Sequence, residues 1–275
     1  MLRKEQITAN NFHYRYHPFP LFVENQKKLG LISAEIWGGS PHFYLDDTMI
    51  SGVLEAKDLL DKAGIRVQDF TPESVSYLYT LCAWEDTVRR KARSYYRHAI
   101  DAAQMLGAGV MVINCCGGAK DQPKSVAYAH AVEGLQELSA YARSKGIVLA
   151  VQTNCPEEGN CIQTLPELKQ LLADVQADNV RPCLDVCAMG MANETLEMWF
   201  ETFGSGIAHM HFTDGKPAGR LVWGEGLHPL DDWMAALERW GYTGSLGQLL
   251  TKEAYFFEPE KADRTNMAAL APYFA

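Results

Sequence analysis

A short apolar run, a polar loop and an amphipathic helix recur along this chain about every 30 residues, and this alternation restricts the fold more than any other feature. The runs lie at 6–12 (QITANNF), 33–39 (SAEIWGG), 65–71 (IRVQDFT), 109–116 (GVMVINCC), 147–154 (IVLAVQTN), 181–189 (RPCLDVCAM), 207–214 (IAHMHFTD) and 244–250 (GSLGQLL). Most are too short for helices and are bounded by glycine or polar residues. Helical patterns fall between them. One spans 86–108 and stops at Gly107; another spans 125–146 and ends at Gly146. Thr164 followed three residues on by Glu167 forms a capping-box signature. Pro229 precedes and Gly241 follows a helix near the C-terminus. Strands that alternate with helices favour a parallel sheet. Eight such units in 275 residues predict a single-domain (β/α)8 TIM barrel over residues 1–275. A doubly wound open sheet is the alternative. It would need a non-sequential strand order, and no GxGxxG follows the first strand to mark a dinucleotide crevice.

The bulk properties exclude several function classes. The net charge of −9, with both signs mixed along the chain, argues against nucleic acid as a partner, because phosphate neutralisation needs a basic surface. No apolar run approaches the roughly 20 residues that span a bilayer. The opening MLRKEQITANNFHYRYHPFP carries basic residues with no apolar core behind them, unlike a signal peptide. The seven cysteines are odd in number, and Cys82, Cys115, Cys116, Cys183 and Cys187 sit in apolar or strand-like settings, which suits reduced thiols in the cytoplasm. Neither Cys155/Cys161 nor Cys183/Cys187 has the CxxC spacing of a zinc site.

In such a barrel, chemistry sits at the C-terminal ends of the strands. Polar residues there need a reason, since a buried polar group without a partner costs about 1–3 kcal/mol. The strand ends supply Glu35, Trp37, Asp69, Asn114, Gln152, Asn154, Asp185, His209, His211 and Gln248. Gln152, Asp185, His211 and Gln248 lie on four successive strands and could ring a divalent cation such as Mn, Zn, Co or Mg. Other readings stay open. Asp185 could cap a turn, His211 could be a satisfied core histidine, and the two glutamines could hydrogen-bond across the lumen. Strand alternation puts His209 and His211 on the same face. Lys216 and Arg220, after the seventh run, could bind a phosphate or carboxylate, or be solvated surface charges.

The segments AEIWGGSPHF, TPES, CLDVCA, HMHFTDG, GEG and LGQLL together resemble the sugar isomerase/epimerase family with a xylose-isomerase-like barrel, on its fructoselysine and ketose 3-epimerase branches. The likeness runs from about residue 30 to about residue 260. It implies a divalent metal held at positions 152, 185, 211 and 248, and a proton exchanged beside a carbonyl by glutamates after strands five and eight. Here those two positions are Gln152 and Gln248, and an amide neither takes nor gives a proton. Asp185 is then the ring's one formal anion, so a weak or vacant metal site is expected. Three readings follow. The chain is an isomerase or epimerase with proton transfer moved to Glu158, Asp214 or Glu225; or it is a non-catalytic sugar-binding barrel; or two Glu→Gln exchanges have trapped an inactive enzyme. The resemblance also puts Glu35, Trp37, His42 and Glu158 near the substrate, a small sugar or sugar conjugate, and implies a homo-oligomer; His209, Lys216, Arg220 and Glu225 are further substrate-binding candidates by position. Relatives with a histidine three residues past the strand-six aspartate have Ala188 here, which speaks against simple free ketoses.

Overall fold

The computed structural model describes residues 3–43, 45, 51–75, 79–115 and 117–274. Its parallel strands close into a barrel in sequence order. They are β1 (Ile7–Asn10), β2 (Ser33–Gly38), β3 (Arg66–Pro72), β4 (Val110–Asn114), β5 (Val148–Gln152), β6 (Val180–Asp185), β7 (His209–His211) and β8 (Ser245–Gln248). Pairing of Ile7 with Leu246 and of Ala9 with Gln248 closes the ring. Each of the eight apolar runs contains one strand, and the fold is the expected (β/α)8 barrel.

The helices between them are α1 (Phe19–Lys28), α2 (Ser51–Ala63), α3 (Asp86–Leu106), α4 (Lys124–Ser144), α5 (Leu165–Val175), α6 (Val186–Met191), α7 (Leu196–Phe203), α8 (Leu230–Arg239) and α9 (Pro259–Leu270). Helix α3 stops at Gly107, whose φ of 84° lies in the left-handed region. Glu167 on α5 accepts from the backbone N–H of Gln163 at 2.7 Å and of Thr164 at 3.2 Å, the reach-back of a capping box. The apolar run 181–189 is not all strand. The Asp185 carboxylate captures the N–H groups of Cys187 and Ala188, and the chain turns there into α6.

Strand alternation builds two cores. Ile36, Phe70, Met111, Leu149, Val151, Leu184, Met210 and Leu246 face outward and pack with Leu60, Leu106, Leu135, Leu168, Trp199 and Leu237 of the helix layer. Each such burial contributes roughly 1.5–3 kcal/mol. Inside the barrel, Val110, Val112, Val148, Ala150 and Cys183 form a small apolar plug. Beyond it the lumen turns polar. A bulge between Ala34 and Glu35 shifts the β2–β3 register so that Glu35 sits beside Asp69. No helix among the described residues is long and apolar enough to cross a membrane. The cysteines Cys82, Cys115, Cys155, Cys161, Cys183 and Cys187 are free thiols, and Cys116 lies outside the described residues.

Leu149 is fully buried between barrel and helix layer. Leu149→Ala should therefore cost about 2–5 kcal/mol, read as a lower urea midpoint. A loss under about 1 kcal/mol would mean that β5 does not pack against the helices as described.

Candidate active site

The lumen above the plug holds a chain of charges. His211 places Nε2 2.8 Å from Glu35 Oε1 and Nδ1 3.1 Å from Asp185 Oδ2. Both ring nitrogens face carboxylate oxygens, so both must donate, and His211 is an imidazolium. Burial alone would lower its pKa, but Glu35 and Asp185 raise it. His209, one turn of alternation deeper, lies with Nε2 3.4 Å from Glu35 Oε2 and Nδ1 2.7 Å from Ser245 Oγ. Ser245 Oγ in turn donates to Asp69 Oδ1 at 2.8 Å. Against the desolvation cost, Asp69 and Glu35 push the His209 pKa up to about 10. The two histidines hold Glu35 well below the ordinary carboxyl range, although burial acts the other way. Thr71 Oγ1 adds a 2.6 Å bond to Glu35 Oε1.

These groups fit only because Gly247 lies beside them. A Cβ at Gly247 would come within 2.2 Å of Glu35 Oε2 and 2.9 Å of His209 Nε2.

Asp185 is the junction with the cavity. Its Oδ1 accepts from Cys187 N at 2.9 Å and Ala188 N at 3.0 Å. Its Oδ2 accepts from Arg220 Nε at 2.9 Å as well as from His211. Desolvation opposes ionisation of Asp185, and the Arg220 guanidinium and His211 overcome it, so its pKa is depressed. The loop that delivers Arg220 is pinned by Asp214, which accepts from the backbone N–H groups of Gly215, Gly224, Gly226 and His228 at 2.7–3.0 Å. Asp214 is therefore fully engaged as an organiser of the HMHFTDG…GEG segment.

A cavity of about 150 Å³ opens over this junction at the C-terminal ends of the strands. Trp37, Thr71, Glu73, Asn114, Gln152, Glu158, His211 and Arg220 line it, with Phe12 against the Trp37 ring at 4.8 Å between centroids. Glu158 accepts from Cys155 N at 2.9 Å, and its other oxygen lies 3.9 Å from Arg220 Nη2. Burial dominates there and raises its pKa, with Arg220 pulling the other way.

The expected residues thus divide. Trp37, Gln152, Glu158, His211 and Arg220 line the cavity, while Glu35, His209 and Asp185 are buried in the charge chain around it. Gln248 is buried, but its amide donates to Leu246 O at 2.9 Å and accepts from Asn266 at 2.8 Å. His42 is a core histidine. Its Nδ1 pairs with His17 O at 2.6 Å, its ring packs against Phe19, and burial lowers its pKa to about 4. Lys216 is exposed outside the cavity. Glu225 pairs with Lys252 and Tyr255 in a separate depression. Glu73, whose side chain holds Trp37 Nε1 at 3.1 Å, was signalled only by TPES following β3.

As a ring for a divalent cation, Gln152, Asp185, His211 and Gln248 do not fit. Both Asp185 oxygens and both His211 nitrogens are taken by internal partners, Gln248 is tied to its own strand and Asn266, and a guanidinium already pairs with the single carboxylate. Glu35, His209 and His211 form the one group of three metal-type side chains found among the described residues, with ligand atoms within 4.8 Å of one another. That group could hold an ion, with Glu35 Oε2 and His209 Nε2 lacking hydrogen bonds. Binding there would have to displace protons from two histidines with raised pKa values.

Residues 23–271 match the family model of the xylose isomerase-like TIM barrel. Fructoselysine 3-epimerase of Shigella flexneri is 29% identical over 245 residues, covering 88% of this chain and 88% of that protein. D-psicose 3-epimerase of Agrobacterium fabrum is 25% identical over 240 residues, covering 83% and 78%. Among solved structures, a D-psicose 3-epimerase determined in the presence of D-fructose superposes with a TM-score of 0.79 at 19% identity, covering 97% of each chain. An L-ribulose 3-epimerase gives 0.81 at 14% identity, covering 99% and 94%. At these identities the superpositions show the shared barrel.

The raised pKa of His209 carries a sign. Stability from its protonation is complete below about pH 6.5 and is lost as pH rises through about 10. Urea midpoints should fall across that window in the native chain and fall less steeply in His209→Gln. Equal slopes in the two proteins would remove His209 from the charge chain.

Proposed function

Because this chain belongs to the xylose isomerase-like TIM barrel family, we propose that it is an epimerase of a sugar or sugar–amine conjugate, moving a proton at the carbon beside a carbonyl. One observation carries the proposal: Glu158 is a desolvated carboxyl with a raised pKa, facing the cavity where the expected base at position 152 is an amide. A carboxyl whose pKa is raised by burial is a better proton carrier than an ordinary one.

Glu158 in its ionised form removes the C–H proton, and the electron pair moves onto the carbonyl oxygen as an enediolate. Inverting the carbon requires a proton from the opposite face. We assign that role to Glu73, on the β3 side of the same cavity, which gives the proton from its protonated form on releasing its bonds to Trp37 Nε1 and Val75 N. His211 is a poor donor, because both of its N–H groups are held by carboxylates. Gln152 and Asn114 offer amide hydrogen bonds to sugar hydroxyls, and the Phe12–Trp37 pair supplies an apolar wall. A sugar–amine conjugate as substrate is in keeping with the fructoselysine 3-epimerase relatives.

The test is deuterium incorporation from heavy water at the carbons flanking the carbonyl of D-fructose and of fructosyl-lysine, followed by NMR. Glu158→Gln should slow exchange about 10²–10⁴-fold with little change in binding. The native rate should climb with pH through a value above the ordinary carboxyl range, as the base ionises. Exchange in Glu158→Gln at the native rate would remove Glu158 as the base.

A further inference from the structure

The family pattern supplies a cation in the middle of three carboxylates. This chain has changed both sides of that arrangement. Two carboxylates are amides, and the remaining one, the buried Asp185, is paired with the guanidinium of Arg220, whose side chain is 14% exposed. Among the described residues, the Arg220 side chain uses Nε on Asp185 and makes no hydrogen bond through its terminal nitrogens. A second carboxylate oxygen, Glu158 Oε1, lies 3.9 Å from Nη2. The terminal N–H groups therefore face the cavity, next to the group proposed to move the proton. A guanidinium presents five N–H donors in a rigid fork and does not deprotonate.

The backbone shows that this placement is built in. Asp214 gathers four N–H groups to fix the loop, Gly219 N donates to Cys187 Sγ at 3.1 Å, and Thr251 N donates to Arg220 O at 3.1 Å. Arg220 is held from its own main chain, from β6 and from the segment after β8.

We propose that Arg220, paired with Asp185, is the fixed cation of this active site and takes over the charge role of a divalent metal, so that turnover proceeds without one. The inference rests on the epimerase reading above. As Glu158 takes the C–H proton, the electron pair that forms the enediolate ends on oxygen, and the Arg220 terminal N–H groups hydrogen-bond to that oxygen. Arg220 gives up no proton; the electron pair returns from oxygen to carbon as Glu73 protonates the opposite face, and the Arg220 hydrogen bonds relax as the oxyanion becomes a carbonyl again. Preorganised donors aimed at a developing oxyanion need no reorganisation when the charge appears. The two amides complete the logic. With Arg220 on Asp185, glutamates at 152 and 248 would be uncompensated buried anions, whereas glutamines of the same shape are neutral.

The proposal makes opposite demands on two variants. Mn²⁺ titrated into chelator-treated native protein, followed by electron paramagnetic resonance, should bind weakly. Arg220→Met frees the Asp185 oxygen, so Mn²⁺ should bind at least about tenfold more tightly there. Arg220→Lys keeps the charge and should bind Mn²⁺ as poorly as the native chain. Deuterium exchange into fructosyl-lysine by native protein should be the same within about twofold with and without a chelator, and should fall at least about 100-fold in Arg220→Met. Circular dichroism melts establish that each variant is folded; if Arg220→Met is not, the chelator comparison on native protein and the Mn²⁺ titration of Arg220→Lys decide. Loss of native exchange on chelation with recovery on Mn²⁺ would overturn the proposal. So would unchanged Mn²⁺ affinity in folded Arg220→Met, or tight Mn²⁺ binding by the native chain or by Arg220→Lys. Absence of exchange with either compound in metal-free and Mn²⁺-loaded native protein would sink the epimerase reading instead, and the Mn²⁺ titrations would still decide whether Arg220 excludes the metal.

Discussion

Everything at the mouth of this barrel depends on one buried carboxylate with four donors. Asp185 ends β6, caps α6 with Oδ1, and binds both His211 and Arg220 with Oδ2. A lone buried charge is costly, and the cost falls only when partners satisfy it completely. The chain meets that requirement at Asp185 and balances the charges around it, with Glu35 Oε2, Asp69 Oδ2 and His209 Nε2 making no hydrogen bond. Glu35, Asp69 and Asp185 face His209, His211 and Arg220, three acidic groups against three cations, linked from β3 through β8 and β7 to β6. Because the set closes on itself, any added cation must expel a proton or displace the guanidinium. That constraint, more than the number of carboxylates, governs what the site can bind.

The same balance fixes geometry. His211 is clamped at both nitrogens, so its ring cannot rotate without leaving a charge unpaired. Arg220 is fixed through the loop that Asp214 organises. This is why the loop carries glycines at 224 and 226: a Cβ at Gly226 would lie 2.0 Å from Asp214 Oδ1, and Gly224 has a φ of 95°. The chemistry-bearing side chains thus sit on rigid strand ends or on a loop whose backbone is pinned, while Glu158 stands on the longer β5–α5 connection with one oxygen held by Cys155 N.

Much of this was legible in the sequence because strands have a strict period of two. That period put His209 and His211 on one face, and the eight spaced runs gave the barrel. The glutamines at 152 and 248 stood out because amides sat where proton transfer was expected. Other features could not be read from sequence. The bulge at Ala34/Glu35 that brings Glu35 beside Asp69 leaves no local signal. The partnership of Arg220 with Asp185 spans 35 residues and depends on how the intervening loop folds. His42 appeared in a segment expected to face substrate, yet its neighbours are Tyr14, Phe19 and Phe22, and aromatic packing claimed it for the core. Lys216 and Glu225 flank Arg220 closely in sequence, but the glycine-rich loop turns them outward.

On the proposed reading, the two amides and the guanidinium that set this chain apart from the pattern the resemblance implies are one change. Consider them singly. Arg220 on Asp185 with glutamates retained at 152 and 248 would leave carboxylates at two buried positions, with Arg220 already paired to Asp185 and near Glu158. Glutamines alone, with Arg220 turned away, would leave Asp185 Oδ2 supported by His211 only. Either intermediate is poorly compensated, and desolvation makes poor compensation expensive. Together, the amides and the guanidinium restore neutrality without altering side-chain size at either glutamine. On that reading proton transfer falls to a carboxyl outside the ring, and Glu158 is one whose burial pushes its pKa upward while a cation stands beside it. On the proposed reading, the amides at 152 and 248, the Asp185–Arg220 pair and the Glu158 carboxyl are connected through a single quantity, the net charge at the cavity.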